Sequence, residues 1–495
     1  MVSLVQLIDM RFIFVFLLCL APISVSAQPL QKQVEEKIKH SVLQGAVWGG
    51  MAVRFNKSET PLFAVHERTR LTPASTLKLL TTAAALETFG PHHRFQTHLY
   101  AQHTPQENGI LNGSLYLQGG GDMTLGSTRV PGAETWEAVA HRWAMRVKQV
   151  GITHIKGNLY ADVSLFEGPS VSPKVNWENM GNYFAAPVSP LCFNDNLFEI
   201  HFSPQPRANH SVSVDHIDPP VRGIHMQSFV TTDGKSKKDN AYVYAAPGQY
   251  NLKIFGTIPT NSKGFTIKAA LPDPALFALQ ALQEALRKQG IQFDGELKIL
   301  SKAPDYSAMQ LVDTYQSPEL KDIILIVNKR SFNLYADMLL RHLAIHAGQK
   351  GSVENGTAQL KNFLVNHHIA GANDVVLYDG SGLSRDNLVT PRVLAATLNY
   401  MTKSPHFEYY YNSLATPDDR GDLLLLRRYL KPLKRIEDVR VKGGTIDNIK
   451  ALAGYIRTEE GELISFVFMA NNLAGKDEAL FRIHEDIIKN LLQVK

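Results

Sequence analysis

A serine and a lysine three residues apart, Ser75-Thr76-Leu77-Lys78, open an apolar stretch and set a hydroxyl and an amine on the same side of a helix. A serine hydroxyl is a poor nucleophile at neutral pH, but a neighbouring amine can take its proton if burial or a nearby cation frees its lone pair. The first-turn N–H groups and the positive helix end would help carry an oxyanion. Ser331-Phe332-Asn333 offers a second hydroxyl with an amide two residues on, suited to relaying a proton and binding a carbonyl. Lys442-Gly443-Gly444-Thr445 sets a cation beside a backbone that an extended peptide ending in a carboxylate can approach closely. Taken singly, each has an ordinary reading. Ser-x-x-Lys arises by chance in a chain this long, Ser and Asn favour caps and turns, and Lys-Gly-Gly makes a plain turn with a solvated lysine.

The elements that must position these groups are legible from periodicity and punctuation. Ser75 to Phe89 reads as a buried helix, apolar on most faces and stopped by Gly90-Pro91. From about Gly109 to Leu300 the texture is short alternating runs between Gly, Pro and Asn clusters, such as Leu115-Tyr116-Leu117, Leu159-Tyr160-Ala161 and Leu197 to Ile200. Two helices, Thr135 to Val150 and Pro274 to Gln289, interrupt it. Helices return at Pro318 to Val327, Asn333 to Ala347 and Val353 to His367. Strand-like Val439 to Val441, Ala451 to Ile456 and Leu463 to Ala470 precede an amphipathic helix from Asp477 to Leu492. The simplest architecture is an α/β domain made from both ends of the chain with a β-rich insertion between them.

The 495 residues exceed what one core usually organises, and 44% apolar with 20% charged side chains match a protein that folds in water. A formal charge of +5 without long like-charge blocks gives no footing for nucleic acid. Residues 1–27 read as a secretory leader, with Arg11 flanking apolar Phe12 to Leu20 and small residues at Val25-Ser26-Ala27. Cys19 lies inside that leader. Cys192 is then the remaining cysteine, which excludes an internal disulfide and a multi-cysteine metal site and fits a small buried hydrophobe. His342 and His346 are four apart, but Leu343 removes the zinc-protease pattern. No G-x-S-x-G elbow and no Walker A loop occurs.

In their order, Ser-x-x-Lys, Ser-x-Asn and Lys-Gly-Gly resemble the signature of penicillin-binding proteins and class A β-lactamases. The gap between positions 75 and 331 is far larger than a compact β-lactamase would have, and it matches the strand-rich insertion. Together with Gly119-Gly-Gly-Asp122-Met-Thr-Leu125, Ala186-Pro-Val-Ser-Pro-Leu191, Asn194-Asp-Asn196 and Asp379-Gly-Ser-Gly-Leu-Ser-Arg385, the chain resembles the class C low-molecular-mass penicillin-binding proteins, the D-alanyl-D-alanine carboxypeptidase/endopeptidase family S13. The resemblance implies an α/β transpeptidase-type domain, an antiparallel sheet with helices, built from 28–95 and 305–495 and carrying the β-rich insertion 96–304.

It further implies acyl transfer on peptidoglycan stem peptides, with β-lactam antibiotics trapping the same serine. Ser75 would be the nucleophile and Lys78 its base. Ser331 would relay a proton, Asn333 would orient the acyl group and Lys442 would attract the terminal carboxylate. Gly443, Gly444 and Thr445 would border the substrate, with Arg385 and Asp447 reading its side chain and Asp162 and Phe166, in Asp-x-x-x-Phe, reaching the cleft from the insertion. Gly443 stands where the family usually has Thr, and Asp447 where an uncharged polar residue is usual. No metal or organic cofactor is implied. The expected compartment is the periplasm. A peripheral membrane contact and the oligomeric state are left open, and a β-lactamase-like hydrolase or a wall-binding scaffold that has lost activity are the rival readings.

Overall fold

The computed structural model describes residues 30–494 except 40, 56–59, 262, 418, 420–437 and 476. The leader expected over 1–27 lies outside the described residues. At the centre of the catalytic half is a five-stranded antiparallel sheet in the order Val439–Ile446, Ile449–Arg457, Leu463–Asn471, Val47–Arg54, Thr60–Val65. The two ends of the chain therefore interleave in one sheet. Alternation along Leu463–Asn471 explains how it is covered on both sides. Phe466, Phe468 and Ala470 join Trp48, Phe63 and the helix Asp477–Leu492 in one core. Val467 and Met469 turn to the other face and meet the helix Lys78–Phe89 with Leu320–Lys329, Asn333–His346 and Pro391–Thr402. Each fully buried side chain of this kind contributes on the order of 1.5–3 kcal/mol.

Why Lys78–Phe89 is the central helix follows from its sequence. Its run of Leu, Thr and Ala buries Lys78 through Leu86 without a polar stripe, and it ends where Gly90 takes a positive φ of 76° that other residues avoid.

The insertion has its own core, in which Leu117, Leu159, Trp143, Phe193, Phe198 and Phe277 are buried together. Its largest sheet runs in the order Leu297–Leu300, Leu159–Asp162, Leu115–Gln118, Gln96–Ala101, Gln310–Gln316, with helices Trp136–Gln149 and Pro274–Lys288 packed on each other. The last of these strands lies beyond the boundary at 304 drawn from the sequence. It pairs antiparallel with Gln96–Ala101, buries Tyr315 in the insertion core, and is pinned by Arg142, whose guanidinium donates to both oxygens of Asp313 at 2.9 and 3.2 Å. A strand holding a buried Asp offers little apolar alternation to read. Three smaller three-stranded sheets complete the insertion among the described residues: Phe265–Ala270, Leu197–Phe202, Val214–Asp218; His225–Asp233, Asn251–Pro259, Tyr242–Tyr244; and the short Gln292–Phe293, His154–Ile155, Ile110–Leu111.

The insertion is locked to the catalytic half at the helix that opens with Asn333. Tyr335 donates from its hydroxyl to Asp195 at 2.8 Å, and Arg129 donates to the same carboxylate at 2.6 Å. Asn194, Asp195 and Asn196 all adopt left-handed φ, a conformation Asn and Asp tolerate better than other side chains.

Candidate active site

Ser75 sits in a single 3₁₀ turn, Ala74–Leu77, that leads directly into the helix beginning at Lys78. Ala74 is held at φ 46°, uncommon for a residue with a Cβ. Two glycine contacts brace this turn. A Cβ on Gly382 would lie 1.9 Å from the Ala74 carbonyl oxygen, and one on Gly444 would lie 2.8 Å from the Ser75 nitrogen. The loop around Gly382 and the strand around Gly444 thus press on the Ser75 turn from two sides, closer than any side chain would allow.

Lys78 is fully buried. Its Nζ lies 2.9 Å from Ser75 Oγ, 2.6 Å from Asn333 Oδ1 and 2.5 Å from the Ser381 carbonyl oxygen. Asn333 is itself oriented, because its Nδ2 donates to the Phe184 carbonyl at 2.7 Å and so turns Oδ1 toward the lysine. The Asn333 and Ser381 oxygens can only accept. They claim two amine protons, and in the neutral amine the lone pair is left facing Ser75 Oγ. On the other side of the cleft Lys442, also buried, donates to Ser331 Oγ at 2.9 Å and to the Gly443 carbonyl at 2.6 Å. Ser331 is held at φ 57° between two helices, so its hydroxyl is aimed by backbone geometry rather than by rotamer choice alone.

Beneath Lys78 two carboxyl groups are buried that the sequence did not single out for this role. Asp379 accepts from the N–H groups of Gly382 and Ser384 at 2.7 and 2.6 Å and from Asn387 Nδ2 at 2.8 Å, which folds the loop presenting the Ser381 carbonyl. Asp337 accepts from Gly380 N at 2.9 Å. Burial, and then repulsion from Asp379, pushes the Asp337 carboxyl up to about 7, opposed by the neighbouring Lys78. Burial likewise raises Asp379. Arg385, at the end of the same loop, forms no ion pair with the buried Asp379 carboxylate. Arg385 instead donates to the Asp447 backbone carbonyl at 3.1 Å.

Ser75, Ser331, Asn333, Arg385, Thr445 and Asp447 line one cleft of about 320 Å³, and Lys78 and Lys442 lie in its wall. The insertion supplies the opposite wall through Asn176, Glu178, Tyr183, Phe184 and Tyr242, none of which had a distinguishing spacing in the sequence. Burial, and then the negative charge of Asp447 and Glu178 in the same cleft, raises the Tyr242 hydroxyl. Asp162 and Phe166, expected to reach this cleft, do not line it. Asp162 is buried at the end of its strand, accepting from the Tyr306 hydroxyl at 2.7 Å. Phe166 packs its ring against His342 and under Arg341. The family resemblance put both in the cleft, but these contacts hold them away from its lining residues. His342 is a core residue, its Nε2 2.9 Å from the Gly121 carbonyl, and burial lowers it to about 4. Cys192 is buried, and that burial raises its thiol. A second hollow of about 340 Å³, lined by residues such as His367, Arg392 and Tyr400, holds none of the expected site residues.

Residues 30–491 match the model of the D-Ala-D-Ala carboxypeptidase 3 (S13) family. The chain belongs to this family. By that membership it is a carboxypeptidase enzyme of S13. A D-alanyl-D-alanine carboxypeptidase of Actinomadura sp. (strain R39) is 26% identical to this S13 chain over 461 residues, covering 90% of it and 81% of the relative. The D-alanyl-D-alanine carboxypeptidase DacB of Haemophilus influenzae is 26% identical over 443 residues, covering 88% and 87%. Among solved structures, penicillin binding protein 4 of Haemophilus influenzae matches with a TM-score of 0.79 at 23% identity, over 93% of this chain and 99% of its own. The α/β penicillin-binding fold expected from the three motifs is the fold observed.

Proposed function

We propose that this S13 carboxypeptidase cleaves the terminal D-Ala-D-Ala bond of peptidoglycan stem peptides, and D-Ala crosslinks between them, through an acyl-enzyme on Ser75. The observation that carries this reading is Lys78 Nζ held 2.9 Å from Ser75 Oγ, with the accepting oxygens of Asn333 and Ser381 beside it. Lys78 takes the Ser75 proton as Oγ attacks the scissile carbonyl. The oxyanion is held by the N–H groups of Ser75 and Thr445, drawn together by the close approach at Gly444. The proton passes through Ser331 to the leaving nitrogen, and the C–N bond breaks. Water then attacks the ester with the same lysine as base, releasing the shortened stem and regenerating the hydroxyl. Lys442, buried beside Ser331, keeps positive potential where a free terminal carboxylate would lie. A β-lactam would open on Ser75 by the same attack.

The far end of the cleft carries Arg385 with the acids Asp447 and Glu178, a pattern that suits a stem side chain bearing both an amine and a carboxylate. The expected leader supports a periplasmic site of action. Fluorescent penicillin labelling tests the reading: the wild type acquires a persistent label and Ser75→Ala does not. A label that turns over quickly would favour the β-lactamase-like alternative, and an unlabelled wild type the inactive scaffold. Mass spectrometry of crosslinked and uncrosslinked muropeptides then separates loss of single alanines from splitting of dimers.

A further inference from the structure

The sheet His225–Asp233, Asn251–Pro259, Tyr242–Tyr244 buries one face and shows the other to solvent. Val230, Leu252, Ile254 and Ile258 point into the insertion core. On the outer face Phe229 and Phe255, directly opposite in register, stack at 4.8 Å between centroids and 8° between planes while 54% and 43% exposed. Tyr244 meets Phe255 edge-on at 5.6 Å, and Trp177, 71% exposed, lies 5.1 Å from Tyr244. Four of the six large hydrophobic side chains exposed among the described residues, Trp177, Tyr183, Phe229 and Phe255, are on this side of the molecule. So many wet aromatic rings in one row are not explained by folding, which would bury them.

The row is continuous with the cleft. Trp177 stands between the cleft residues Asn176 and Glu178, and Tyr242, also in the cleft wall, begins the edge strand that carries Tyr244. The geometry points to a saccharide-binding track: the aromatic row Trp177–Tyr244–Phe255–Phe229 seats the glycan strand from which the stem peptide hangs. This rests on the peptidoglycan reading of the cleft. An aromatic face carries negative charge density and meets the weakly positive C–H face of a pyranose ring, while Gln227, Lys253 and Thr257 on the same sheet face can pair with hydroxyl and N-acetyl groups. A bilayer suits the surface less well, since polar side chains alternate with the rings and a membrane there would cover the mouth of the cleft.

The test uses the full chain with Ser75 acylated by penicillin, so that the cleft is filled. Peptide-free glycan strands of alternating N-acetylated hexosamines are titrated by calorimetry, with anionic phospholipid vesicles in a parallel arm. The wild type is expected to bind the glycan and not the vesicles, and Phe229→Thr/Phe255→Thr, which keeps strand-forming residues, to bind the glycan about tenfold or more weakly with an unchanged melting temperature. Unacylated, that variant should keep wild-type kcat/KM on a soluble stem peptide and show a raised KM on intact glycan-bearing polymer. Equal glycan binding by variant and wild type, no binding by wild type, or vesicle binding that the variant loses would each overturn the inference. A chain that binds glycan through this row yet neither reacts with penicillin nor cleaves stem peptides would keep the track and sink the peptidase reading instead.

Discussion

Gly444→Ala is the substitution for which the geometry gives the sharpest expectation. The added methyl would sit 2.8 Å from the Ser75 nitrogen, 3.0 Å from the Pro73 carbonyl oxygen and 3.1 Å from the Ala74 Cβ. Two of these are backbone atoms, so no side chain can swing away, and relief requires strand and turn to part by roughly half an ångström, an overpacking cost of about 1–3 kcal/mol. The same methyl screens the Ser75 N–H from a developing oxyanion. Loss of one such donor lowers the chemical step by about 10²–10³-fold. Stopped-flow acylation with a fluorescent penicillin reads the rate, and thermal melting reads the fold. The second-order acylation constant should fall by about two to three orders of magnitude while the melting temperature drops by only a few degrees. Acylation within threefold of wild type would refute the idea that this strand forms one wall of the oxyanion site.

Three further outcomes follow from the same geometry. Lys78→Ala should lower acylation by at least about 10²–10⁴-fold, with far-UV circular dichroism unchanged; near-normal acylation would remove the lysine from its role as base. Asp447→Asn should weaken discrimination in favour of stem peptides whose third side chain carries an amine, seen as a raised KM for that substrate alone, and equal effects on substrates with and without the amine would dismiss Asp447 as a reader of that side chain. Asp337, with its carboxyl raised to about 7 chiefly by burial, keeps its proton in the folded state across a range where the unfolded chain has lost it. Stability should therefore decline as pH rises from about 4 to about 7, and Asp337→Asn, which retains an acceptor for Gly380 N, should flatten that decline in denaturant titrations. An unchanged slope would show that this carboxyl ionises normally.

Much of the site could be read before any coordinates. The helix over Ser75 to Phe89, the Asn333 helix and the two C-terminal strands announce themselves through local periodicity, and three short motifs carry the residues proposed as nucleophile, base and their partners. Other parts were not legible. The first strand of the central sheet, Val47–Arg54, is buried on both faces and so shows no alternation, only an apolar run with two glycines. Asp379 sits in a Gly-rich loop, a context usually exposed, yet its carboxylate is buried and accepts from Gly382, Ser384 and Asn387. Asp162 and Phe166, expected in the cleft from the family resemblance, are instead held by Tyr306 and against His342 and Arg341.

The amino-acid order by itself determined which chemical groups this enzyme owns and which short segments carry them, since helix period, turn residues and neighbouring side chains act over a few positions. Only the tertiary structure decided that Ser381 lends a carbonyl to Lys78, that Phe184 orients Asn333, and that Glu178 and Tyr242 face Arg385 across the cleft. These juxtapositions join residues more than a hundred positions apart. They are selected by how two cores and a shared sheet pack against each other, which no local pattern encodes.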